Sequence, residues 1–271
     1  MAMIMIGGDG SSTSVLALAA GWPEVEPHVV GGGRDVVVVE ADPTGGSLAA
    51  WLDTPLSPSL SSVVTALHQG SSTGATRPTQ WSLIDAMIRR SASGVRFVPA
   101  PFRTREARGA IGEADLLLFP LLAAVDHTVA LVDVGRIDPL RLPPATRHAD
   151  LLVLVHRQDA SSAPAATVRL ERLAETVEAA RDTGATVGLA LVGEDPFALG
   201  EVVDFTSPNG PAFVLAPDPL SAAVLAGRTG VSTRRLARLP LMRSAASAAS
   251  ELDRLVGAHH PPETLQKGGA A

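Results

Sequence analysis

The sequence predicts an α/β fold, a mostly parallel sheet of about seven strands with helices on both faces, and three observations lead there. Seven short apolar runs have the length of buried strands: Met3–Ile6, Val36–Val39, Val95–Val98, Val129–Val134, Leu151–Val155, Val187–Val192 and Phe213–Leu215. One of them, Val36–Val39, is four consecutive valines with no polar alternation, the pattern of a strand covered on both faces. Helix-like stretches separate the runs, so strand and helix alternate and right-handed crossovers are expected.

Taken in order, Met3–Ile6 runs into the glycine-rich segment Gly7–Thr13, and Ser12–Ala20 follows as a helix. Trp22–Asp35, with Gly31, Gly32 and Gly33, reads as a long turn before Val36–Val39. Leu60–Leu67 and Trp81–Arg90 are expected as helices, with a mobile loop at Gln69–Thr79 in the Ser/Thr/Gly-rich stretch between them. Thr104–Leu118 is helical in pattern. Ala163–Thr183 is the clearest helix: Val168, Leu170, Leu173 and Val177 form its apolar stripe, and Arg169, Glu171, Arg172, Glu175 and Glu178 its wet side. Ala198–Asp204, Ser221–Gly227 and Met242–Val256 complete the helices. No composition break or internal repeat divides the chain, so residues 1–258 read as one domain and 259–271 as a flexible tail.

Composition narrows the function classes. The 271 residues are 46% hydrophobic and 18% charged, enough apolar material for a large core. There are 22 basic against 28 acidic residues, a net charge of −6, which argues against a protein that wraps nucleic acid. The absence of cysteine excludes disulfides, thiolate metal sites and cysteine nucleophiles. No apolar run reaches the ~18–20 residues of a membrane span, and no secretory leader pattern is present. A cytoplasmic protein is expected. The chain holds a single lysine, Lys267, near its end, so lysine chemistry in the body of the fold is excluded.

The segment Gly7-Gly8-Asp9-Gly10-Ser11-Ser12-Thr13 lies between a strand and a helix. Such a turn makes an anion site: glycines allow close backbone approach, and the first-turn N–H groups point at the ligand. The same residues also suit a tight turn with Ser/Thr capping. The second strand ends in Glu40-Ala41-Asp42-Pro43-Thr44-Gly45-Gly46-Ser47-Leu48.

With these two segments the chain resembles the ParA/MinD family of deviant Walker-A ATPases. Gly7, Gly8 and Gly10 match the glycines of that family's loop, Ser12 the hydroxyl that holds Mg²⁺, and Thr13 the hydroxyl after it. Glu40 and Asp42 match the two acids of the family's Asp-x-Asp-Pro segment. Asp126–Asp133 resembles the strand that ends in the Walker-B aspartate, placing Asp133 there, although Val134-Gly135-Arg136 replaces the usual Thr-Pro-Pro. Ala149–Val155 resembles the next strand, and Ala216-Pro217-Asp218 the late loop beside the nucleotide base. The resemblance spans residues 3–256. It implies a nucleotide site at Gly7, Gly8, Gly10, Ser11, Ser12, Thr13, Pro217 and Asp218. It also implies Mg²⁺ at Ser12, Asp42 and Asp133, with Asp42 and Asp133 the acids of any catalysis.

Two departures bear on activity. Ile6 stands where the family has its signature lysine, and Ser11 where it has the lysine that holds the β- and γ-phosphates. Each lost charge-assisted contact is worth roughly 1.5–3 kcal/mol of binding, and phosphoryl transfer depends on such cations. Asp9 adds a negative charge that would repel a phosphate ~4 Å away by ~1 kcal/mol in water and ~4 kcal/mol at an effective dielectric of 20. Arg136 is the candidate replacement cation. The expectation is a protein without a resident cofactor, ATP or ADP with Mg²⁺ being the alternative. Its function is then that of a pseudo-ATPase acting as a localisation or assembly scaffold, a homodimer with a protein partner.

The rival readings are an active nucleotide switch of the same family and a dinucleotide-binding oxidoreductase. The latter rests on Gly8-Asp9-Gly10 and on Glu40 as a ribose ligand, but the third glycine is missing. Arg228, Arg234, Arg235, Arg238 and Arg243 offer a DNA contact that is not favoured over a solvated face. Ala246–Val256 lacks the basic face of a membrane-binding helix, so no membrane insertion is expected. The histidines 28, 68, 127, 148, 156, 259 and 260 show no metal-ligand spacing beyond the terminal pair, and no nucleophile elbow is present.

Overall fold

The computed structural model describes residues 2–23, 35–124, 128–158, 162–193 and 195–259. The Gly31–Gly33 triplet and most of the expected Trp22–Asp35 turn lie outside the described residues, as do Asp126, His127, Lys267 and the tail beyond His259.

Among the described residues, eight strands form one sheet: β1 (Ala2–Gly8), β2 (Asp35–Glu40), β3 (Arg89–Arg90), β4 (Arg96–Val98), β5 (Thr128–Gly135), β6 (Leu151–Arg157), β7 (Val187–Val192) and β8 (Ala212–Leu215). Their order is β3-β4-β2-β5-β1-β6-β7-β8, and every neighbour pair is parallel except β3 with β4. The seven expected strands are all present, and β3 is the addition. The helices are α1 (Ser11–Ala20), α2 (Leu48–Trp51), α3 (Leu60–Ser72), α4 (Arg77–Asp85), α5 (Thr104–Leu122), α6 (Ala163–Asp182), α7 (Leu199–Thr206), α8 (Pro219–Leu225), α9 (Thr233–Leu236) and α10 (Pro240–His259), with a 3-10 turn at Pro144–His148.

Two helical expectations are corrected. The Gln69–Thr79 stretch is mostly helical: α3 runs on to Ser72 and α4 starts at Arg77. Buried Leu67 and Gly70 hold that extra turn of α3 against the core. The expected Trp81–Arg90 helix stops at Asp85, and Arg89–Arg90 pairs with Arg96 and Phe97 as an antiparallel edge. The cause is a tight turn, in which Gly94 takes a positive φ and Ser91 N–H donates to the Val95 carbonyl at 2.8 Å.

Strand alternation divides the core. Met3, Met5, Val37 and Val39 face one side and pack with α3, α5, α6 and α7. Ile4, Ile6 and Val38 face the other and pack with α1, α8 and α10. Both faces of the valine run are thus covered, as its composition requires. Alanine brings α10 onto α1: Ala245, Ala248, Ala249 and Leu252 are buried, and a Cβ on Gly21 would stand 2.9 Å from the Ala246 nitrogen. The apolar stripe of the last helix is therefore spent on the core. No helix among the described residues is long and apolar enough to cross a membrane.

Candidate functional site

The order of strands reverses direction around β1, with β5 and β2 on one side and β6 on the other. In an open α/β sheet, the carboxyl ends of strands at such a reversal form the binding crevice. Gly7–Thr13 lies there, between the end of β1 and the start of α1.

The loop is held by close backbone contacts. Gly8 takes φ +120, and a Cβ there would stand 2.2 Å from the Val155 carbonyl oxygen of β6. The Asp9 N–H donates to that same oxygen at 3.1 Å. Gly10 takes φ +90, and a Cβ there would meet nothing within 4 Å among the described residues. The first-turn N–H groups of α1 then face the crevice, since a helix start leaves them without intrahelical partners.

Both hydroxyls at the head of α1 turn inward. Ser11 Oγ donates to Asp133 Oδ1 at 2.7 Å, Ser12 Oγ to Asp133 Oδ2 at 2.6 Å, and Gly135 N–H to Oδ1 at 3.1 Å. Asp133 is fully buried, and burial pushes its carboxyl above the usual range against the pull of these hydrogen bonds. Ser11, expected at the nucleotide site, is buried and supports Asp133. Ile6 is fully buried in the core on the α1 side of the sheet.

The acids at the end of β2 have separate surroundings. Glu40 Oε1 accepts from the N–H of Ser47 at 2.6 Å and of Leu48 at 3.0 Å, and Oε2 from Ala100 N–H at 2.9 Å. Burial raises its pKa to about 7 although those N–H groups favour the charge, and the nearby Asp133 raises it further. Glu40 therefore clamps the loops after β2 and β4 and is buried there, an arrangement that does not favour the dinucleotide reading. Asp42 is half-buried, and its Oδ1 accepts from Thr44 N–H and Oγ1, both at 2.7 Å. Gly135, which departs from the resemblance, has a reason here: at φ +66 a Cβ would stand 2.4 Å from the Asp42 carboxyl carbon.

Beside the loop lies a cavity of about 580 Å³ whose lining includes Asp9, Gly10, Thr13, Arg157, Pro217, Asp218 and Arg228. That volume falls within the ~300–1,000 Å³ of small-molecule sites. The expected Gly10, Thr13, Pro217 and Asp218 thus meet around one space. Asp218 also caps α8, accepting from Leu220 and Ser221 N–H at 3.0 and 3.3 Å. Desolvation pushes its carboxyl up, but the Ser221 and Leu220 hydrogen bonds outweigh it, and the net shift is downward. Arg157 and Arg169 were not singled out from the sequence as site residues. Arg157 is reached only through the pairing of β6 with β1, and Arg228 lines the cavity, apart from the basic residues with which it was grouped.

The Ser12 hydroxyl and the Asp133 carboxylate are the hard oxygen donors Mg²⁺ prefers, and it commonly binds through one or two carboxylates plus substrate phosphates. Ser12, Asp133 and the half-buried Asp42 would hold it, and it would neutralise phosphate charge. The loop and cavity fit the nucleotide, whereas the residues at positions 6 and 11 do not fit a phosphoryl-transfer role, since both are buried and uncharged.

No protein-family model matches the chain, and no curated protein matches it in sequence. Solved structures do match. One is a ParA family ATPase from Chlorobium tepidum TLS, at TM-score 0.66 and 16% identity, covering 93% of this chain and 99% of that one. Another is the septum site-determining protein MinD complexed with Mg-ADP from Pyrococcus horikoshii OT3, at TM-score 0.63 and 17% identity, covering 95% and 98%. A third is the MinC:MinD cell division protein complex of Aquifex aeolicus, at TM-score 0.62 and 11% identity, covering 93% and 95%. At these identities the common property is the fold, and the chain has the α/β fold of these proteins along nearly its whole length.

Proposed function

We propose that the chain is a degenerate ParA/MinD-type protein that has kept the P-loop shape and lost phosphoryl transfer, and that it works as a localisation or assembly scaffold. The observation that carries this reading is the inward Ser11. Where the family resemblance implies a cation on the phosphates, this chain places a hydroxyl donating at 2.7 Å to a buried carboxylate. Stabilising the transferred group's charge is most of what a phosphoryl-transfer enzyme does, and a buried hydroxyl contributes none of it. The whole-length fold match to a MinC:MinD complex supports a partner protein as the scaffold's client.

A scaffold of this kind is a homodimer that does not need nucleotide to hold it. Apolar side chains at the carboxyl end of the sheet support this: Phe102 follows β4 and is 56% exposed, and Leu140 follows β5 and is 90% exposed. No lysine is needed to reach across such a contact. The placement proposed is cytoplasmic, without membrane insertion, and a DNA contact is not favoured. Sedimentation equilibrium without nucleotide tests the reading. A dimer at micromolar concentration, weakened by Leu140→Asp, is the expected result, and a monomer throughout that range contradicts it.

A further inference from the structure

We propose that arginines converging on the loop mouth bind a phosphate-bearing ligand in place of the missing lysines, and that Asp9 is a built-in competitor for that site. The inference rests on the P-loop reading above and concerns binding rather than turnover.

Asp9, Gly10, Arg136, Arg157 and Arg169 line a cavity of about 300 Å³. The three arginines come from three different elements: the exit of β5, the end of β6 and the side of α6. None belongs to the loop itself, yet all surround the open space over Gly10. Arg157 also lines the 580 Å³ cavity that contains Pro217 and Arg228, so it stands where the two spaces meet. Guanidinium groups bind phosphate oxygens through paired N–H donors and are always charged. An anion seated over Gly10 would meet the α1 N-terminus from below and guanidiniums from the sides.

Asp9 already occupies part of this field. Its Oδ1 lies 3.5 Å from Arg136 Nε, and both side chains are exposed. An exposed pair at that separation is weak, so a polyanion can displace it. The carboxylate then acts as a placeholder that lowers the apparent affinity for phosphate and holds Arg136 near the mouth when the site is free. The larger cavity, whose walls include Val192, Pro217 and Leu241, has room for the nucleoside part of a nucleotide.

Calorimetric titration of the purified full chain with ADP, without added metal, tests this, with adenosine as the uncharged control. ADP is expected to bind and adenosine not to. Arg157→Ala should weaken ADP by about tenfold or more, since one charge-assisted contact is lost. Asp9→Asn should tighten it by about fivefold or more by removing the competing charge. Both side chains are exposed, and unchanged thermal melts verify folding. Silence toward ADP in both the native chain and the Asp9→Asn variant overturns the inference, as does an ADP affinity that neither substitution moves. Those outcomes leave the scaffold reading standing. Turnover of ATP overturns the scaffold reading and leaves the arginine site standing.

Discussion

Replacing Gly8 with alanine is expected to destabilise the fold severely, while the same change at Gly10, two residues on, is mild. Both glycines have positive φ, so both substitutions carry backbone strain. They differ in what the new methyl meets. At Gly8 it would stand 2.2 Å from the Val155 carbonyl oxygen and 3.1 Å from the Val155 carbon and nitrogen. Those atoms belong to a strand paired directly with β1, where Gly8 faces Val155 in register. The backbone cannot yield without breaking that pairing and the Asp9 hydrogen bond. Strain and overpacking each cost ~1–3 kcal/mol, so their sum is about 2–6 kcal/mol. At Gly10 nothing among the described residues lies within 4 Å, and only the left-handed penalty of roughly 1–2 kcal/mol remains. Urea unfolding checks this through the midpoint at constant slope. Equal losses at the two positions would contradict the loop geometry.

The second large effect is on pH. Glu40 is 1% exposed, and burial raises its pKa from the ordinary 4.5 to about 7. A carboxyl with a raised folded-state pKa binds more protons folded than unfolded between those values. Its stabilising contribution is therefore fully present below about pH 4.5 and is lost as pH rises through about 7. From that shift, stability should fall by about 2–3 kcal/mol between about pH 5 and pH 8. Asp133, also raised by burial, acts in the same direction. Glu40→Gln should flatten the profile without abolishing it, because Asp133 remains. Denaturant melts across that range provide the check. Stability that rises toward pH 8, or a slope unchanged in Glu40→Gln, would contradict the buried-carboxylate account.

The sheet was legible because burial on both faces writes itself as unbroken apolar runs, with Val36–Val39 the plainest case. The Arg89–Arg90 edge was not, since two polar residues carry no periodicity and their pairing comes from the turn at Ser91–Gly94. At the site, the glycines and the acids could be read by spacing along the chain. What the hydroxyls do could not. Ser11 and Ser12 differ only in register on α1 from residues that face outward, and their contacts with Asp133 cross more than a hundred residues. Arg157 and Arg169 were hidden for a similar reason: adjacency of β6 to β1 and the facing of α6 bring them to the loop. The departure at Gly135 is explained by the room that Asp42 takes.

The central claim is that a loop shaped for triphosphate lacks the means to transfer a phosphoryl group. Single-turnover incubation of ATP and Mg²⁺ with excess protein tests it most directly. The account predicts ADP formation no faster than in a protein-free control, and no change on Asp133→Ala. An exponential burst of ADP that disappears in the Asp133→Ala variant would contradict it.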